Sequence, residues 1–349
     1  MIPIRNIYYM LSYAFSCLQD KGFSSIQTEE FSSASDLLAE ILIRGIDVLL
    51  KRGLDRQYLE ITDSTGVLRG KLELNETLRT NSLEKKQVVC TYDNLTEDSY
   101  LNRILKTAMM HLFRYDVAAV RKKKLKNILR YFKDVSLLNP KTIMWNQRFN
   151  RNNRIYLLLV NISYLIIEGL VQSQTSGYMK MRSFIDDQRM SHFYEKFILE
   201  YYRKHHKELH PNPSRIDWQL DNENDFMLPA MISDIMLKKG NNILIIDAKY
   251  YGSNTQERYD NQTVISSNLY QIFTYVKNKE EELKDEANHS VSGMLLYAKT
   301  DDLIQPDSTY QMSGNAISVK TLDLNAPFED IRNKLENVAS IFAYQMKIL

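Results

Sequence analysis

Residues 232–251 read ISDIMLKKGNNILIIDAKYY, and no other stretch restricts this chain so tightly. Two apolar, β-prone runs, Ile232–Leu237 and Ile243–Ile246, flank Lys238-Lys239-Gly240-Asn241-Asn242, a turn sequence. The pattern predicts a β-hairpin. Asp234 sits early in its first strand and Asp247 ends the second. Lys249 follows Asp247 by two residues, so both project from one face of an extended strand. The hairpin folds Asp234 back toward Asp247. Two carboxylates held together repel unless one is protonated or a cation joins them. Three charged groups at one spot are costly to gather without such a cation.

Hard oxygen donors select Mg2+, with Mn2+ as a substitute. The carbonyl of Ala248, between Asp247 and Lys249, is a natural further ligand. The expected metal ligands are therefore Asp234, Asp247 and Ala248, and the expected catalytic set is Asp234, Asp247 and Lys249. A cation there holds a phosphodiester oxygen, acidifies water and offsets charge in the transition state. The lysine orients or helps deprotonate the attacking water, or stabilises the phosphate. This is the chemistry of a PD-(D/E)xK nuclease site. An isolated Asp-Ala-Lys reads first as an edge-strand salt bridge. The apolar strand before it, the Asp one hairpin earlier and the helices on both sides favour the nuclease.

Three more residues border this pattern. Glu195 lies in HFYEKFILEYYRKHHKEL, an amphipathic helix over about 190–208. It is a further metal ligand or a surface acid paired with Lys196 or Arg203. SSNLYQIFTYVK (266–277) predicts a helix with Gln271 and Tyr275 four apart on one face. That pair borders the site, or Tyr275 packs in the core. Tyr250, Tyr251, Arg258 and Tyr259 form a basic, aromatic stretch suited to DNA. A strand at 291–298 completes the central sheet.

The remaining chain is more helical. Residues 1–20 and 34–52 read as amphipathic helices, the second capped by Ser33 or Ser35 and ended by Gly53. QYLEIT, DSTG and VLRGKLEL, over 57–75, read as strand, turn and strand, and 86–92 as another strand. Residues 97–131 are helical and carry Arg121, Lys122, Lys123, Lys124 and Lys126, a solvated face or a phosphate or partner contact. Residues 145–154 form a loop with Arg148, Arg151 and Arg154, either solvent-facing or an inserted finger. The polar stretch 175–190 marks a boundary. The fold expected is α/β: an α+β N-terminal region, 1–180, and a nuclease domain, 181–349, whose mixed sheet is flanked by helices.

Some classes are excluded. The longest apolar run, Ile155 to Leu170, contains Asn161, Ser163 and Glu168 and is shorter than the roughly 20 apolar residues of a membrane span. No membrane contact is expected. Two cysteines, Cys17 and Cys90, make neither a metal motif nor a disulfide framework, which fits the cytoplasm. The net charge is only +2, weak for a stand-alone DNA binder.

The opening IPIRNIYYMLSYAF, the segment RGKLELNETLR, YDNLTEDSYLNRILK at 92–106 and the DAKYY block with NLYQIFTY after it resemble the McrC family. These are nuclease subunits of McrBC modification-dependent restriction systems. The resemblance implies a partner, a McrB-like AAA+ GTPase ring that binds GTP and reads methylcytosine in double-stranded DNA. It implies that residues 1–180 dock on the ring and stimulate GTP hydrolysis, and that residues 181–349 cut the DNA. Arg151, flanked by Arg148 and Arg154, falls where the family places a basic finger near the GTPase. No GTP-binding G-x-x-x-x-G-K-[ST] motif occurs in this chain, as the resemblance requires. A non-catalytic activator of the AAA+ partner and a stand-alone PD-(D/E)xK nuclease are the alternatives.

Overall fold

The computed structural model describes all residues except 1, 16–17, 19–22, 24–25, 27–30, 32, 150–153, 174–187, 223–224, 259–260 and 345–349. The chain separates into two compact units, Asp20–Val171 and Met1–Gln19 with Gln172–Leu349. The boundary stretch expected at 175–190 lies mostly outside the described residues.

The unit Asp20–Val171 is built on helices. Helix α2 (Ala34–Arg52; α1 belongs to the other unit) starts where the Ser33 hydroxyl accepts the Asp36 N–H and ends at Gly53, whose φ of 97° suits glycine. Its apolar face packs against α4 (Tyr100–Leu112) and α5 (Ala119–Leu129). Asn102, fully buried on α4, donates to the carbonyls of Asp55 and Glu97 and accepts from the Tyr156 hydroxyl of α6 (Arg154–Ser173). That one amide ties the end of α2 and the start of α4 to α6. It sits within the DSYLNRILK segment of the resemblance.

The strand-turn-strand expected over 57–75 is not a hairpin. Strand β1 (Gln57–Thr65) runs through Asp63–Thr65, and β2 is only Lys71–Leu72. Both pair antiparallel with β3 (Val88–Thr96), giving the order β1-β3-β2. Gly70 explains the break. It has φ of 60°, and a Cβ on it would lie 2.4 Å from the Thr91 carbonyl oxygen. The chain therefore turns tightly against β3, and LNETLR continues as helix α3 (Leu74–Arg79) rather than as strand.

The basic run also resolves. Arg121 is inside the fold: its guanidinium contacts Asp36 at 2.7 Å and Glu40 at 3.0 Å. Lys123, Lys124 and Lys126 are exposed.

In the other unit, α1 (Ile4–Ala14) is shorter than the helix expected over 1–20 and packs on α7 (Gln188–His205). Buried Asn6 secures it by donating to the carbonyls of Leu324 and Ala326. The central sheet has five strands in the order β11-β12-β10-β7-β6. The small ladder β4 (Arg215–Ile216) with β5 (Met231–Ile232) precedes it in sequence, and β8 (Thr255–Arg258) with β9 (Asn261–Val264) falls between its strands β7 and β10. The expected hairpin is present as β6 (Ile235–Lys239) and β7 (Asn242–Lys249), with Gly240 at φ of 60° in the turn. Strand β10 (Ser290–Ala298) runs parallel to β7. It does not close the sheet. Beyond it lie β12 (Asn315–Leu322), parallel, and β11 (Ser308–Met312), antiparallel at the edge.

Helix α8 (Ser266–Glu282) covers β7 and β10 through a core that includes Ile243, Ile245, Ile272, Val276, Leu295 and Ile317. A Cβ on Gly293 would lie 2.8 Å from Ile272 and 2.9 Å from Val276, so α8 rests almost on the β10 backbone. Helix α9 (Phe328–Tyr344) follows β12 and carries buried Ile331, Leu335 and Phe342. Among the described residues no helix is long and apolar enough to cross a membrane.

Candidate active site

The β6–β7 register pairs Ile235 with Ile246. Extended by one residue, it sets Asp234 opposite Asp247. Asp234 thus stands just before β6 rather than early within it. The Ala248 N–H donates to Asp234 Oδ2 at 2.8 Å and fixes that carboxylate against the end of β7. Asp247 is 1% exposed. Its Oδ2 makes no hydrogen bond, although Lys249 Nζ lies 2.9 Å away, off the hydrogen-bonding direction. Lys249 instead donates to Gln271 Oε1 at 3.2 Å, and Gln271 Nε2 donates to the Tyr275 hydroxyl at 2.9 Å. Tyr275 is also part of the α8 core, so both readings of it hold.

The electrostatics follow from burial. Desolvation, then the charges of Asp247 and Glu195, push Asp234 up to about 8. Burial also raises Asp247, against the pull of Lys249. Burial by itself would lower Lys249, but Asp247 overrides it and the ammonium titrates above its ordinary value. Glu195 on α7 is near enough for its charge to act on both aspartates. Its carboxylate lies 3.5 Å from the His192 ring, while Arg203 pairs with Glu200.

Two buried carboxylates, Asp234 raised by the charge of Asp247, and Asp247 with an oxygen engaged only by its ion pair with Lys249, form an oxygen-rich seat for a hard cation. Among the described residues no group of three or more His, Cys, Asp or Glu side chains encloses a metal. The described residues thus offer a cation two carboxylates, those of Asp234 and Asp247, a set that suits an ion keeping part of its water.

The other expected site residues are scattered. Tyr250 is buried, its ring 6.0 Å from that of Tyr194, and does not face solvent. Tyr251 is partly exposed. Tyr259 lies outside the described residues, and of Arg258 only its backbone place in β8 is described. Arg148 is exposed in an irregular segment, Arg154 is exposed at the start of α6, and Arg151 lies outside the described residues. Asn268 and Tyr297 were not singled out by sequence reasoning, yet both reach the site. Asn268 precedes Gln271 by three residues on the same helical face, which was a legible signal.

The sequence pattern of the family described as McrBC 5-methylcytosine restriction system component matches residues 5–298. This chain belongs to that family. The McrBC assignment agrees with the resemblance carried by the opening helix and the DAKYY block. Type IV methyl-directed restriction enzyme EcoKMcrBC of Escherichia coli (strain K12) is 28% identical over 348 residues, 97% of each chain. A chain of the Thermococcus gammatolerans assembly of McrB AAA+ hexamers with bound McrC matches in structure at a TM-score of 0.51. It shares 18% identity and covers 97% of this chain and 76% of its own, a likeness of fold. The mixed sheet flanked by helices is the architecture expected from the McrBC resemblance.

Proposed function

We propose that this chain is the DNA-cleaving subunit of a GTP-dependent type IV restriction complex, acting on methylcytosine-containing duplex DNA. The observation that carries the reading is the buried pair Asp234 and Asp247 beside Lys249, in a chain of the McrBC family. When bound there, Mg2+ (or Mn2+) supplies positive charge to the phosphodiester and acidifies water.

The chain's own residues divide the remaining work. Asp234 holds a proton near neutral pH and gives it up when a cation takes its place. The Ala248 N–H aims its carboxylate. Lys249 stays protonated beside Asp247, so it stabilises charge on the phosphate and orients water rather than removing a proton. Gln271 and Tyr275 hold that ammonium in place. Glu195 strengthens the negative field that draws a cation in.

The partner is a McrB-like AAA+ ring that carries the GTP and most of the DNA grip, consistent with the net charge of only +2. The T. gammatolerans assembly, with McrC bound to AAA+ hexamers, supports this. Residues 1–180 contain the partner-binding surface, and Arg148, Arg151 and Arg154 are the residues assigned to contact the ring.

Cleavage of methylcytosine-containing duplex by mixtures lacking each component in turn tests the proposal. Cutting only with this chain, the AAA+ partner, GTP and Mg2+ together is expected. GTPase stimulation without cutting would leave an activator alone. Cutting by the isolated chain would make it an independent nuclease.

A further inference from the structure

Beside Lys249 lies a polar chain that neither the acids nor the Gln271–Tyr275 pair uses. Asn268 is 5% exposed, one turn before Gln271 on α8. Its amide is engaged at both ends. The Tyr251 hydroxyl donates to its Oδ1 at 3.4 Å, and its Nδ2 donates to the Tyr297 hydroxyl at 2.9 Å. Tyr297 is fully buried and stands level with Lys249 on the neighbouring parallel strand. The rings of Tyr251 and Tyr297 are 6.3 Å apart, tilted by 51°.

The alternation of β7 continues past its end. Tyr250 is buried beside Tyr194 of α7. Tyr251, like Lys249, turns toward α8. Asp247, Lys249 and Tyr251 thus form one row, and Tyr251 is its outermost, partly exposed member. Buried amides must be satisfied, so filling the same space with an apolar side chain would be cheaper if packing alone mattered. What the amide adds is a fixed direction for the Tyr251 ring.

We infer that Tyr251 contacts the strand being cut and that Asn268 is its positioning residue. This rests on the nuclease function proposed above. The Tyr251 hydroxyl is already engaged and its ring packs in part against the core, so the exposed part of the ring is what is left for substrate. An aromatic face stacks on a sugar or base without regard to sequence. A ring already held in place loses little freedom when it does so.

Steady-state cleavage by the complete complex tests the inference. Tyr251→Leu is expected to raise KM about tenfold with kcat within about twofold, a loss in the range of one base–aromatic contact. Tyr251→Phe and Asn268→Leu each raise KM about threefold. The double variant is no worse than Asn268→Leu, because that variant already lacks the one hydrogen bond that Tyr251→Phe removes. Partner GTPase stimulation stays at the wild-type level throughout and reports an intact chain. Wild-type KM in Tyr251→Leu, a defect confined to kcat, or multiplying defects in the double variant would overturn the inference. Asp247→Ala is run alongside. Wild-type cleavage by that variant would refute the nuclease site itself and this inference with it, whereas its loss of cutting leaves the Tyr251 result to decide alone.

Discussion

Asp247→Ala is expected to lower DNA cleavage by the complete complex by about a thousandfold or more, while GTP hydrolysis by the partner is stimulated as by the wild-type chain. The carboxylate is 1% exposed and pairs at 2.9 Å with Lys249, itself 15% exposed. Truncating it leaves a buried ammonium that keeps only Gln271, a loss of about 3–5 kcal/mol, so a lower melting temperature is expected. Asp247→Asn, which keeps the shape of the side chain, is measured beside it, and a cleavage defect of the same size in both variants is chemical. Asp247 lies outside the unit Asp20–Val171, so the partner-binding surface proposed there is untouched. Stimulation that fell together with cleavage in Asp247→Asn, at unchanged melting, would contradict the division of labour between residues 1–180 and 181–349.

Arg121→Ala acts in the opposite way. The side chains of Asp36 and Glu40 are 2% and 3% exposed, and Arg121 bonds both. Without it Glu40 keeps Arg44 at 2.6 Å and a distant Lys124, and Asp36 keeps the Ala118 N–H. Breaking one partner of a buried ion pair costs about 3–5 kcal/mol. That is comparable with the whole stability of a small domain, about 5–15 kcal/mol. The unit Asp20–Val171 is expected to melt many degrees lower and to become sensitive to protease, with partner stimulation lost. Lys123→Ala, on the exposed face of the same helix, is expected to change stability by less than about 0.5 kcal/mol. Thermal melts of the two variants check this. Equal melting, with DNA binding weakened by both, would restore the run as a phosphate-binding face.

The hairpin was legible because two apolar, β-prone runs joined by a glycine-asparagine turn leave little freedom. Its register then followed, and with it the approach of Asp234 to Asp247. The capping of α2 by Ser33 was legible for a similarly local reason. The pairing of β2 was not, because it depends on Gly70 meeting the backbone of Thr91, far along the chain. Nor was the allegiance of α1: periodicity shows that a helix has an apolar face, not which helix covers it. The contrast between Tyr250 and Tyr251 was available from strand parity but was hidden by reading them as one aromatic loop. Arg121 looked like its neighbours in sequence, and only the buried acids of α2 set it apart.

The carboxylate pair as a cation site is tested most directly by titrating Mn2+ into the cation-free chain at pH 7, by calorimetry in two buffers of different ionisation enthalpy. Asp234 titrates near 8, so binding is expected to release about one proton. Binding and proton release should both disappear in Asp234→Asn and Asp247→Ala. Wild-type Mn2+ affinity in both variants would contradict the assignment.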